Sequence, residues 1–205
     1  MMNVRKVIRS AAVTLIAAAT FAGTTQSANA VPPDKLADVL AELWTTVLQT
    51  PSDENPFGTG DPEDACWDLG ANIVAPLGPS PEGVESCTVK PGTRIFVAGS
   101  TFECSTFEGT SEADLVECAR ESDAPEAPTV TLDGQPVSLT EVATDVTPVT
   151  LPADNLFGLP AGTEGQFAAH GWVALLHPLT PGTHTIEITN GSTITTEIVV
   201  EPGLT

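Results

Sequence analysis

Four kinds of residue in this 205-residue chain have types and spacings that could do chemistry. Glu103 and Glu108 lie close together beside Cys104, and paired carboxylates about 5–10 Å apart are what glycoside hydrolysis needs, one as acid and one as base or nucleophile. His170, His177 and His184 recur every seven residues, a spacing that invites a metal or a Ser/His relay. On strands an odd spacing alternates faces, so these three gain no common face from the interval alone. The segment 51–65 carries Asp53, Glu54, Asn55, Asp61, Glu63 and Asp64 with Gly58 and Gly60 between them. Calcium takes six to eight such oxygens, and Asp53, Asn55, Asp61 and Asp64 are its candidate ligands, although EF-hand spacing is missing. Four cysteines, Cys66, Cys87, Cys104 and Cys118, complete the set. None forms a C-x2-C pair, so a zinc site is disfavoured. Two disulfides are expected, Cys66–Cys87 and Cys104–Cys118, because neighbours in sequence close short loops.

Several chemistries lack their signature. There is no G-x-S-x-G nucleophile elbow and no Gly-rich phosphate loop leading into a helix. Lys and Arg number 7 against 27 Asp and Glu, for a formal charge of −20. Nucleic acid is therefore excluded as a partner, since phosphate binding needs a basic patch. Three Trp and no Tyr leave few rings to stack on sugars. An apolar content of 41% still allows a packed core and argues against a disordered acidic tail.

The first thirty residues read as a Sec signal peptide. Arg5, Lys6 and Arg9 precede an apolar run, Ala11–Ala22, and Ala28-Asn29-Ala30 offers a small-x-small cleavage site after Ala30. The run is too short for a span of roughly 20 residues, so no transmembrane anchor is expected after cleavage. The remaining cations are Lys35, Lys90, Arg94 and Arg120. Residues 31–205 then form one secreted domain, and an oxidising compartment suits the even cysteine count.

The elements that must position these residues follow from periodicity. Residues 34–49 read as a helix, capped by Asp34, with Leu36, Val39, Leu40, Leu43 and Val47 on one stripe and Pro51 ending it. Residues 51–65 read as an acidic loop. Strands are expected at Val84–Lys90 and Thr93–Ala98, flanking Pro91-Gly92, and at Val130–Leu132 and Pro136–Leu139, flanking Asp133-Gly134. Phe167–Leu176 reads as a central strand with Trp172 as a buried anchor, and Trp67 is expected on the neighbouring disulfide. Thr183–Thr189 and Ser192–Val200 flank Asn190-Gly191 as a hairpin with one wet face. His184 falls on its apolar side. Ser111–Glu121 reads as a short inserted helix opened by a Ser111/Asp114 capping box. Residues 122–128 read as a loop, and no internal repeat is evident. The fold class is mainly β: a β-sandwich, jelly-roll or Ig-like, with an N-terminal helix and one short inserted helix.

Several segments together resemble a group of uncharacterised exported bacterial β-sandwich proteins. The carriers include Asn55-Pro56, Glu103-Cys104, Asn155 with Gly158, Gly171-Trp172-Val173-Ala174-Leu175-Leu176, and the closing Pro178-Leu179 with Pro181-Gly182-Thr183-His184-Thr185-Ile186. The resemblance implies export and a β-sandwich, and it carries no activity. The functional expectation is a non-catalytic binding or structural protein of the extracellular space or cell envelope, with a cell-wall or other extracellular polymer as partner. Two alternatives stand beside it: a secreted carboxylate-dependent hydrolase of polysaccharide, and a calcium-stabilised structural module.

Overall fold

The computed structural model describes residues 31–58, 66–78 and 84–203. The signal-peptide reading of residues 1–30, and Asp61 and Asp64 of the calcium reading, lie outside the described residues. The chain runs through α1 (Pro33–Gln49), β1 (Cys66–Asp68), β2 (Ile73–Pro76), β3 (Val84–Val89), β4 (Arg94–Ser105), α2 (Leu115–Ser122), β5 (Thr129–Leu132), β6 (Gln135–Val137), β7 (Thr140–Ala143), β8 (Thr147–Thr150), β9 (Glu164–Leu176), β10 (Gly182–Asn190) and β11 (Ser192–Val200). Among the described residues no helix is long and apolar enough to cross a membrane.

Two sheets pack face to face. One has the order β1-β2-β4-β9-β7, with β8 also paired to β9; the other has the order β3-β11-β10-β5-β6. Between them lies a core of Ile95, Val97, Ala174 and Leu176 from the first sheet and Val130, Ile186, Ile198 and Val200 from the second. Helix α1 covers the opposite face of the first sheet, where Phe96, Phe167, Val173 and Leu175 meet Leu36, Leu40, Leu43, Val47 and Leu48. Each of these helical side chains contributes about 2 kcal/mol when fully buried. The β-sandwich thus has a helical third layer. Its strands β4 and β9 are buried on both faces over most of their length, which is why Phe167–Leu176 reads as a long apolar run apart from His170.

Several local expectations change. Asp34 sits in the first turn of α1 and not at its cap: Pro32 is the N-cap and Pro33 occupies the first turn, where the missing N–H has no cost. Leu48 is buried on the stripe, and Val39 lies at its margin. Ser111 Oγ donates to the Asp114 carboxylate at 2.6 Å and caps no backbone amide, so a short 3-10 turn, Glu112–Asp114, precedes α2. Pro91-Gly92 carries the chain from one sheet to the other, since β3 pairs in parallel with β11 while β4 pairs with β9. Strand β4 runs on to Ser105 past a register shift at Gly99. A Cβ there would stand 2.6 Å from Leu139 Cδ1 and 3.2 Å from Val130 Cγ2 of β5, so a side chain at this position would crowd the second sheet. Trp67 does not pack on the disulfide. Alternation along β1 turns it to the α1 side, where Nε1 donates to the Leu77 carbonyl at 2.8 Å, while Cys66 faces the sandwich core.

Candidate functional site

Both disulfides form with the expected pairing. Cys66–Cys87 joins β1 to β3 across the two sheets, with Cα atoms 5.4 Å apart, and Cys104–Cys118 ties β4 to α2 at 6.0 Å. Two disulfides suit an oxidising, extracellular environment.

The second disulfide helps to seat α2 against β9, with Leu115, Ala119 and Ala168 packed beside it. The C-terminal end of α2 then delivers Asp123 into the fold. That residue falls in the segment read as a loop, yet it is only 8% exposed. Its Oδ2 stands 2.8 Å from His170 Nδ1, and its Oδ1 accepts a hydrogen bond from Ser100 Oγ. On the far side of the ring, His170 Nε2 lies 3.0 Å from Glu141 Oε1 on β7. Alternation along β9 turns His170 and Trp172 to this side, and Trp172 Nε1 donates to the Ala124 carbonyl at 3.1 Å. Each ring nitrogen of His170 faces a carboxylate oxygen, and a ring carrying both protons donates to both. The constellation holds the residue types of a hydrolytic relay in a different order. Ser100 bonds to the aspartate and not to the imidazole, whereas nucleophilic catalysis pairs the hydroxyl with the ring.

Glu103 points to the opposite face of β4, registered with Ala169. It is 9% exposed, and Oε2 has no hydrogen-bond partner among the described residues. Burial, reinforced by the charge of Glu108, pushes its carboxyl up to about 8. Glu108 itself stays near the surface, on the 3-10 turn Thr106–Glu108, and accepts from Ser105 Oγ at 3.3 Å. The two carboxyl groups picked out by spacing are therefore brought together electrostatically, and their surroundings differ.

His177 and His184 lie apart from His170. His177 is exposed at a strand end before Pro178. His184 uses both nitrogens: Nδ1 lies 2.7 Å from Asp133 Oδ2 and Nε2 lies 2.9 Å from the Thr180 carbonyl. Asp133 Oδ1 also accepts the Thr185 N–H at 2.9 Å. Burial alone would lower His184, but the hydrogen bonds to Asp133 and Thr180 and the Asp133 charge outweigh it and hold the ring above its usual value. Burial would likewise raise Asp133; the bonds from His184 and Thr185 and the His184 charge hold it below the usual carboxylate range.

Asn55 has a structural task that competes with calcium. It is fully buried, its Nδ2 donates to the Val47 carbonyl at 2.7 Å, closing the end of α1, and its Oδ1 accepts the Phe57 N–H. Asp53 is exposed on the adjoining turn. Among the described residues no three His, Cys, Asp or Glu side chains are grouped to hold a metal ion. Asn155 repeats the Asn55 arrangement. Its Oδ1 accepts the Phe157 N–H, and Gly158 N donates to its carbonyl, as Gly58 N does to that of Asn55. The two Asn-x-Phe-Gly turns are joined by the Ser52 N–H to Asp154 carbonyl bond at 2.6 Å. This short repeat, one hundred residues apart, is visible in the sequence and went unread.

No family model, curated protein or solved structure matches the chain.

Proposed function

We propose that this chain is an exported, non-catalytic binding or structural protein of the extracellular space or cell envelope, engaging a cell-wall or other extracellular polymer. The observation that carries the reading is the wiring of His170. A base must offer a lone pair to its nucleophile, whereas both nitrogens of this ring face carboxylates and the nearby serine hydroxyl is turned to Asp123. The cluster ties α2, β4, β7 and β9 together. The two disulfides, and a leader-like N-terminal segment of Arg5, Lys6, Arg9 and Ala28-Asn29-Ala30, support export.

One observation favours a second reading, a secreted carboxylate-dependent hydrolase of polysaccharide. Glu103 is pushed up to about 8 beside Glu108, a separation of roles that acid catalysis exploits. Against it, Glu103 is only 9% exposed and its Oε2 atom is sealed from solvent, which restricts the approach of a glycosidic oxygen. Co-sedimentation of the purified protein with cell walls and insoluble polysaccharides separates the two. Pelleting with one polymer and no soluble product supports the binding reading. Release of sugars that stops in Glu103→Gln and Glu108→Gln rejects it.

A further inference from the structure

A cavity of about 400 Å³ opens beside the Cys66–Cys87 disulfide, where the β1–β2 turn meets the ends of β3 and the start of β4. Its lining includes Asp68, Asn72, Thr88, Lys90 and Thr93. These five side chains are not bonded to one another. Asp68 Oδ1 accepts the Gly70 N–H at 2.9 Å, which orients the carboxylate, and its second oxygen has no partner among the described residues. Lys90 makes no ion pair among the described residues; the one Lys or Arg pair there is Lys35–Asp38. Asp68 and Lys90 are both exposed where they line this cavity, so each charge is open to a ligand. The β1–β2 turn that lines the cavity holds one residue, Ala71, in an unfavourable backbone conformation. Gly70, Ala71 and Asn72 are all left-handed, with φ of 70°, 49° and 57°, and alanine tolerates that region poorly. Such strain gathers where a surface must present fixed geometry.

We propose that this cavity binds the zwitterionic head of a small α-amino acid, its ammonium on Asp68 and its carboxylate on Lys90, with Asn72, Thr88 and Thr93 available for remaining hydrogen bonds. A volume of 400 Å³ accommodates a small amino acid between Asp68 and Lys90, which form no ion pair with each other. A zwitterion also approaches without net repulsion from the acidic surface, whereas an anion does not. The proposal rests on the binding reading and adds a ligand class to it.

The test is titration of the purified protein with glycine and L- and D-alanine, followed by ligand-observed NMR and calorimetry. N-acetylglycine and glycinamide each retain one charge and serve as half-ligands. At least one zwitterion binds, and both half-ligands bind at least about tenfold more weakly. Lys90→Met and Asp68→Asn each weaken binding at least about tenfold; the asparagine retains the carbonyl that accepts the Gly70 N–H. Glu201→Gln is the control. Glu201 borders Lys90 from a separate cavity with Pro91, Pro202 and Gly203, and its substitution leaves affinity unchanged. Equal binding of a half-ligand, no saturable binding of any zwitterion, or unaltered affinity in folded Lys90→Met overturns the site. Polymer pelleting without amino-acid binding removes this site and leaves the polymer reading standing. Amino-acid binding without pelleting removes the polymer partner and leaves the site.

Discussion

Replacing Glu103 by glutamine tests the reading of the buried carboxyl. In the unfolded chain the group ionises at its ordinary 4.5; in the folded protein it resists until about 8. The unfolded state therefore holds fewer protons across that interval, and stability falls as pH rises through it. Outside the interval this group adds no slope. Each pH unit is worth about 1.36 kcal/mol, so the loss reaches about 5 kcal/mol from pH 4.5 to 8 and about 3 kcal/mol by pH 7. Glutamine has a similar shape and does not titrate. Its amide carries a fixed offset of its own, because Oε2 lies where no partner waits. The expected result is thus a difference between variant and wild type that grows in the variant's favour by about 5 kcal/mol between those pH values. Subtraction removes the background from the other acidic residues. Urea unfolding at closely spaced pH values, with a constant m-value, measures it. Glu108→Gln shrinks the interval without abolishing it, since burial is the larger cause and the Glu108 charge the second. A difference that stays flat from pH 4 to 9, within about 0.5 kcal/mol, refutes the assignment of a neutral buried acid.

Other perturbations address the remaining pieces. His184→Ala lowers stability by no more than about 1 kcal/mol, because Asp133 is half exposed. His184 is raised and Asp133 lowered, so this loss is present in mildly acidic solution. It fades as pH climbs through the His184 value or drops through that of Asp133, which urea curves at pH 3, 5 and 9 resolve. Asn155→Ala strands the Pro152 and Leu159 carbonyls and the Phe157 and Leu159 amides; a loss of about 3 kcal/mol in urea unfolding is expected. Removing Cys104–Cys118 as a double serine variant opens a loop of sequence separation 14, costs about 3 kcal/mol, and raises amide exchange first in α2. With a charge of −20, the melting temperature rises between about 0.01 M and 0.15 M salt; a flat response counts against self-repulsion.

What the sequence discloses follows the range of the interactions. The β10–β11 hairpin is legible because its turn and alternation are local, and its register pairs Thr189 with Thr193 and Glu187 with Thr195 on the outer face as alternation requires. The α1 stripe is legible for the same reason. The parallel pairing of β3 with β11 is not, since nothing local states that residues over one hundred positions apart will meet. Strand β4 is legible only as far as Ala98 because Ser100, Thr101 and Glu103 break the apolar pattern; Ser100 and Thr101 are polar for tertiary reasons, their bonds to Asp123 and to Trp44 and the His170 carbonyl. The His170 cluster was missed because its members lie 29 and 47 residues from the histidine, and Asp123 sits in a Pro- and Ala-rich stretch that composition reads as linker. Glu103 and Glu108 were noticed because they are close in sequence, but the burial that separates them depends on the layer above β4.

The two polar clusters gain meaning from lying back to back on one strand pair. On the α1 side, Trp44 Nε1 donates to Thr101 Oγ1 at 2.9 Å, and that hydroxyl donates to the His170 carbonyl at 2.8 Å. On the opposite side, the His170 ring engages Asp123 from α2 and Glu141 from β7. One residue of β9 is thereby fixed from both faces, through its carbonyl on one and its ring on the other. Gly171 beside it makes this possible: a Cβ there would stand 3.1 Å from the Ser100 carbonyl and 3.2 Å from Thr101. A ring and carbonyl held in this way register α1, the sheet and α2 against one another. Truncating His170 should therefore loosen α1 and α2 together. Protection of both helices falls in His170→Ala by amide exchange, and loss confined to α2 shows that the link through Thr101 transmits nothing.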